Sequence, residues 1–391
     1  VKKKVHGLLL LSLLASVLLM NGCWDSREVE DLAVSTLVAW DRVTVEGKDL
    51  WQISTRILDL RVPQGSGLKK DSSARELLLK GTGITIQDAF NNLVKRLPAT
   101  DFVEHNVAIV IGERVAREEL PNIMSADLRL PFSRISVYMF VCEGEANKIL
   151  QTEPELSSAL SKEVRKIADK TMEESGAALK MTALDFSKQL IRKDRDTVLP
   201  HIKIYTRQEG EESVESSIEI QGFGVIRDSK LVGWLEDEEA LGYVLSVGRP
   251  TNPEIPLAVT VGDVLFSFYM TNIKGQISSG LVEGKPKFTI HIKADGVVHE
   301  ASVPMLNEGD RPVLEKAIEE KIIDVVWKTV AKAKEYDADI FGFNEHLHRY
   351  HLKQWETIAP EWRRYFRDAE IEVEVDAEIK AFGTSNTGFD L

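Results

Sequence analysis

The sequence predicts an α+β fold, multi-domain, with mixed β-sheets packed by helices and some local α/β (strand–helix–strand) character in the N-terminal half. Three observations predict it. Period-two alternation recurs along the chain, most cleanly where Ile371, Val373, Val375, Ala377 and Ile379 face one way and Glu372, Glu374, Asp376 and Glu378 the other. Helical stripes stand between such runs; the longest, over residues 312–336, carries Leu314, Ile318, Ile322, Val325 and Val330 on one side. Residues 105–112 form a near-continuous apolar run ending in glycine, followed by a helix and a second apolar run, which points to buried parallel strands.

The chain opens with Lys2, Lys3 and Lys4, then largely apolar residues 8–20, then Gly22 and Cys23. A basic start, a short apolar run and a small residue before a cleavage point are the grammar of export. The run is too short for a stable span, which needs about 20 residues. Residues 1–22 are therefore expected to be a lipoprotein signal peptide, with Cys23 as the lipidated mature N-terminus; Met20 and Asn21 stand where a lipobox has Leu and a small residue. Taking 22 residues from 391 leaves 369, enough for two or three domains, and losing three lysines moves the net charge from −13 to −16. Such acidity argues against nucleic acid and against a polybasic membrane patch, so attachment is expected through acyl chains. With Cys23 acylated, Cys142 is left without a disulfide partner and reads as an inert core thiol.

Residues 32–40 and 51–57 read as a hairpin turning at Glu46-Gly47-Lys48, its second strand half-buried, and residues 62–73 as an exposed loop. Gly81-Thr82-Gly83 lacks the third glycine of a dinucleotide loop, since Ile86 stands there; Thr85 with Asp88 instead starts a helix burying Ala89, Leu93 and Leu97. A helix near Glu113, a strand over 135–142, a helix carrying Leu156, Leu160, Val164 and Ile167, and another capped by Thr182 and Asp185 follow, closing on a strand at 200–205. Residues 208–217, with Glu209, Glu211, Glu212 and Glu215, read as an acidic linker between an N-terminal α+β domain (23–207, one unit or two) and a C-terminal α+β domain (218–391). The second domain begins with a hairpin turning at Asp228-Ser229 and a short helix ending at Gly248. Strands then run through 257–303, punctuated by Gly275, Gly284-Lys285-Pro286 and Asp295-Gly296; the long helix and one more over 342–356 follow.

No catalytic, cofactor-binding or metal-binding residues are expected. Nucleophile elbow, phosphate loop and zinc-protease signatures are all missing from the sequence. His346, His348 and His351 on one helix would put His348 and His351 on a shared face with His346 pointing away, which reads as solvated helix rather than a ligand set. Trp24, beside Cys23, suits either the bilayer interface or the first domain's surface.

Gly22-Cys23-Trp24-Asp25 with Arg27-Glu28 and Leu32-Ala33 resembles the start of the Ger(x)C lipoproteins, the C subunits of GerA-type spore germinant receptors. Three further stretches match that family in order. They are Glu104-His105-Asn106 leading into 109–112; Gly222-Phe223-Gly224-Val225-Ile226 with Lys230-Leu231-Val232-Gly233-Trp234-Leu235; and Ala338-Asp339-Ile340-Phe341-Gly342-Phe343 followed by Trp355 and Trp362. The chain departs from the family at Ser125-Ala126-Asp127, where an Arg-Asp pair is expected. The resemblance implies a lipid-anchored, non-catalytic subunit beside two integral-membrane partners (A-type and B-type), on the outer face of the spore inner membrane. It would support nutrient-triggered germination, with the nutrient ligand unknown. A lipid-anchored solute-binding protein that captures the nutrient itself is the alternative.

Overall fold

A computed structural model describes residues 6–7, 32–58, 76–97, 100–127, 129, 134–171, 176–192, 194–209, 213–248, 254–282, 285–302 and 309–382. Apart from residues 6–7, the signal segment lies outside the described residues, as do Cys23, Trp24 and the expected loop at 62–73.

The chain begins with β1 (Leu32–Val45) and β2 (Lys48–Leu58), an antiparallel hairpin whose turn residues Glu46 and Gly47 both take positive φ, 50° and 75°. That left-handed pair matches the strand twist, which is why glycine sits there. β3 (Glu76–Gly83) joins β2, and its two glycines let α1 (Ile86–Val94) lie directly on it: a Cβ on Gly81 would come within 2.2 Å of the Ala89 carbonyl oxygen. Thr85 and Asp88 form the expected reciprocal cap at the start of α1.

Past β4 (Thr100–Phe102) come β5 (Ala108–Gly112), α2 (Glu113–Glu118), α3 (Leu120–Asp127) and β6 (Tyr138–Cys142). Then follow α4 (Ala146–Gln151), α5 (Leu160–Lys170), α6 (Ala183–Ile191) and β7 (Thr197–Glu209). β1, β5, β6 and β7 pair parallel in that order, as the strand–helix–strand pattern predicts. The antiparallel strands β8 (Ser213–Arg227) and β9 (Lys230–Leu235) extend the sheet on one side, β2 and β3 on the other, giving nine strands with β4 beside β1. Leu156 precedes α5 and is 92 % exposed, so the helix starts at Leu160, later than its apolar spacing suggests.

Of the stretch 208–217, expected as a linker, the described residues 208–209 and 213–217 are strand. Register runs without a break from Tyr205↔Ser217 to Glu209↔Ser213, so β7 and β8 pair antiparallel as far as the described residues reach. Backbone ladder bonds are indifferent to side-chain charge, which is why an acid-rich composition does not by itself exclude strand.

The second sheet is antiparallel for three strands, β10 (Ile255–Val261), β11 (Val264–Val282) and β12 (Lys285–Ala301), with β13 (Glu370–Phe382) added parallel at the edge. Gly275 and Gly296 do not break these strands. Gly275 lies where α7 (Asp237–Val247) crosses β11, 2.2 Å from the Ser246 carbonyl oxygen for any added Cβ. The 25-residue α8 (Arg311–Glu335) covers the sheet's inner face. The predicted helix over 342–356 is two: α9 (Phe343–Tyr350) and α10 (Leu352–Ile358), broken at His351 (φ −137°, ψ 50°), with α11 (Trp362–Asp368) leading into β13. One core runs from α4 and α5 under the first sheet through α7 and α8 to the second; the other lies between the first sheet and α1, α2, α3 and α6.

Candidate functional site

Beside the first sheet, the end of α6, the connection before β7, the β8–β9 turn, the connection after α8 and helix α11 converge on a cleft of about 710 Å³. It is built of opposed charges. Asp196 is 6 % exposed; it accepts the Asp339 amide at 2.8 Å and grips Arg363, whose Nη2 lies 3.0 Å from Asp196 Oδ1 and 3.0 Å from Asp228 Oδ1. Burial works to lower the Arg363 value, but Asp196 and Asp228 prevail and hold the guanidinium above its usual range. Arg195 reaches Glu345 at 3.3 Å, and Arg192 reaches the same carboxylate at 2.9 Å.

Asp339 organises the chain here. Its carboxylate accepts the amides of Gly342, Phe343 and Asn344 at 2.9, 2.9 and 2.8 Å, satisfying donors that α9 leaves free at its start. Burial raises its pKa from 3.8 to about 6 against those bonds. Gly342 at φ 78° allows the turn that points these amides inward. Arg364 and Arg367 stand at the rim, 71 % and 57 % exposed, on Glu361 and Asp337. The cleft thus clamps the first sheet to α11 through paired charges; its groups are already engaged, an arrangement suited to holding position rather than to proton or group transfer.

A second cavity, about 310 Å³ and mainly apolar, lies between α1 and the first sheet, walled by Trp40, Ile53, Phe90, Leu93 and Ile109. Asn106, 7 % exposed, lines it, and its Oδ1 meets no hydrogen-bond partner among the described residues.

The residues singled out from sequence fall as follows. Cys23, the one expected site residue, lies outside the described residues. Cys142 is buried at 1 % and free, and burial pushes its thiol well up, as an inert core cysteine should behave. The three histidines separate differently from expectation. The break at His351 turns that ring back to the Ser279 carbonyl (3.1 Å) while His346 Nδ1 meets Ser279 Oγ (2.7 Å). His348 instead stacks on Trp355 with ring centroids 3.9 Å apart. Sequence reasoning missed Asp196, Arg363 and Asp339 as a group, because the three lie far apart in the chain with no spacing that joins them. The one local signal was the stretch Ala338-Asp339-Ile340-Phe341-Gly342-Phe343, which holds Asp339 and the glycine that caps α9. Among the described residues no helix is long and apolar enough to cross a membrane.

Two family models match the chain. One, described as spore germination protein N-terminal domain, matches residues 25–204; the other, spore germination B3/GerAC like, C-terminal, matches 221–383. Spore germination protein KC of Bacillus subtilis (strain 168) is 22 % identical over 402 residues, 97 % of this chain and 96 % of that protein. Spore germination protein A3 of the same organism is 24 % identical over 391 residues, 96 % and 98 % of the two chains. The crystal structure of the GerBC protein shares the fold at a TM-score of 0.52 and 17 % identity, covering 88 % of this chain and 97 % of that one. Matched along both halves by these models and end to end by these relatives, the chain belongs to the GerAC-like family of spore germination proteins.

Proposed function

We propose that the chain is the lipid-anchored, non-catalytic C subunit of a spore nutrient germinant receptor. It would be held through Cys23 at the outer face of the spore inner membrane, beside two integral-membrane subunits. Family membership over both halves, with nearly full coverage of the relatives, is the observation that carries this reading. The basic, apolar, Gly-Cys sequence at residues 2–23 supports the anchor. The net acidity of the chain argues against attachment through a polybasic patch, so two acyl chains on Cys23 would supply the attachment. Tethering then raises the concentration of this subunit around its partners without needing a strong interface.

Spores carrying Cys23→Ala test this. The variant protein is expected in the soluble fraction, folded, with nutrient-triggered germination sharply reduced and germination by a non-nutrient trigger unchanged. Retention in the membrane with a normal nutrient response would sink the reading. The cavity beneath α1, apolar with an unpaired Asn106 oxygen, favours the second reading, direct capture of a small apolar nutrient. Calorimetry of the purified chain against germinants separates the two, since only capture gives heat.

A further inference from the structure

Beside the ends of β6 and β9, three ligand-bearing side chains meet that no sequence spacing links. Glu143 follows the last residue of β6, His201 lies in β7, and Glu236 follows the last residue of β9. One nitrogen of His201 and one oxygen of each glutamate all lie within 4.8 Å of one another. They border a pocket of about 420 Å³ that also receives Glu145, Lys148 and Lys203, three carboxylates against two ammonium groups.

His201 is the telling residue. It is 1 % exposed, and neither Nδ1 nor Nε2 has a hydrogen-bond partner among the described residues. A buried imidazole with both nitrogens unpaired is costly, and such a group calls for an ion or a water. The local backbone presents this ring. His201 pairs with Val141 across the parallel ladder, and the β7–β8 register shifts between Pro200 and Ile202, so Gln221 and Gly222 oppose His201 alone. Gly222 takes φ 84° at that bulge, a device that re-aims a side chain next to a site. Trp234 stacks on the ring with centroids 4.1 Å apart and fixes its plane. Burial, with Lys203 adding to it, pushes the His201 pKa down to about 3, so the ring keeps its lone pair at neutral pH.

We propose that Glu143, His201 and Glu236 bind a divalent first-row transition metal, with Zn²⁺ the best-suited ion. One imidazole nitrogen and two carboxylate oxygens are a borderline-to-hard donor set, and the open rim leaves a position for water. Metal–ligand bonds of about 2.0–2.2 Å need the donors slightly closer than they stand, a movement the surface glutamates make by rotamer change. Lys203 Nζ lies 2.7 Å from Glu236 Oε1, so protein cation and metal compete for that carboxylate. Glu143 and His201 fall within residues 25–204, and Glu236 within 221–383, so the ion joins the two family-matched halves.

The test is isothermal titration of Zn²⁺ into the full chain, detergent-solubilised and stripped with EDTA. Glu143 is exposed, so Glu143→Gln leaves the core intact. One ion per chain is expected, with affinity at least about tenfold weaker in Glu143→Gln, since losing a direct ligand should cost no less than losing one of its supports. Lys203→Met should bind more tightly than wild type, and saturating Zn²⁺ should raise the thermal midpoint of wild type but not of Glu143→Gln. No measurable binding by wild type, or an affinity unmoved by Glu143→Gln, overturns the proposal.

Discussion

The two sheets of this protein solve the same packing problem in opposite ways. In the nine-stranded sheet the parallel centre is covered on both faces. Leu37, Ala39, Ala108, Val110 and Phe140 point into one core, while Val38, Trp40, Ile109, Ile111 and Met139 point into the other. Every residue of β5 and β6 is buried. In the four-stranded sheet only one face is covered, by α7 and α8, and β13 alternates between Ile371, Ala377 and Ile379 in the core and charged residues in water. The difference shows what a crossover costs in sequence: helices on both faces demand continuous apolar strands, whereas a meander needs apolar residues only at every second position.

That contrast predicts how neighbouring positions respond to truncation. On β6, Phe140 and Met139 are both 0 % exposed on opposite faces. Phe140→Ala should therefore cost about 3–5 kcal/mol and Met139→Ala about 2–5 kcal/mol. On β13, Ile379→Ala should likewise cost about 2–5 kcal/mol, but Glu378→Ala beside it about 0.5 kcal/mol or less. Urea unfolding of the four variants measures this. A cheap Met139→Ala would mean that the α1–α3 layer is not a packed core, and the contrast between the sheets would collapse.

The two regions agree in one device, and it has a smaller effect. Asp41, from β1, accepts the amides of Ala146 and Asn147 at 2.7 and 2.9 Å at the start of α4, as Asp339 does for α9. Both are buried, at 2 % and 1 % exposure, and burial raises each from 3.8 to about 6. Glu145 adds to the rise at Asp41 and Asp196 to that at Asp339. Between the unfolded and folded values the native state holds the extra proton, so each aspartate stabilises fully below about pH 4 and loses that contribution as the pH climbs through about 6. Two pKa units correspond to about 2–3 kcal/mol. The stability advantage of wild type over Asp41→Asn, and over Asp339→Asn, should shrink by that order between about pH 4 and pH 7. Chemical denaturation across that range checks it; an advantage that grows with pH would mean the carboxylates are ionised and stabilised by their amide bonds instead.

Much of this was legible in the residues, and the exceptions share a cause. The caps at Thr85 and Thr182, the turns at Glu46-Gly47 and Asp228-Ser229, and the alternation of β13 are local chemistry, and the structure places each where the sequence put it. What escaped was decided by partners distant in the chain. Arg56 looked like the polar side of a half-buried strand, yet it is 4 % exposed and donates from Nε to the Leu150 carbonyl at 2.7 Å and from Nη2 to that of Thr152 at 2.8 Å. Gly275 looked like punctuation and is instead the spot where α7 touches β11. The charged cleft and the Glu143–His201–Glu236 cluster draw on segments up to 167 residues apart, beyond the reach of any motif.

The smallest expected effect lies on the open face of the second sheet. Glu370, Glu372, Glu374 and Asp376 form an acidic row along an edge strand, and Lys287, His291 and Lys293 of β12 stand opposite it. Part of that edge is already covered, because Glu315 and Glu319 of α8 accept the amides of Ile379 and Ala377 at 3.0 and 3.3 Å. The acids then have two roles to choose between: holding β13 to β12, or keeping a bare strand edge from pairing with another chain. His291 Nδ1 and Glu374 Oε2 are 2.8 Å apart, but the side chains are 43 % and 56 % exposed, where such a pair contributes about 0.5 kcal/mol or less. Glu374→Gln should therefore leave the urea midpoint essentially unmoved, while replacing Glu372, Glu374 and Asp376 together should raise self-association in sedimentation. A large loss of stability from the single change would assign the row to holding the sheet, and the solvated face would then be as structural as the covered one.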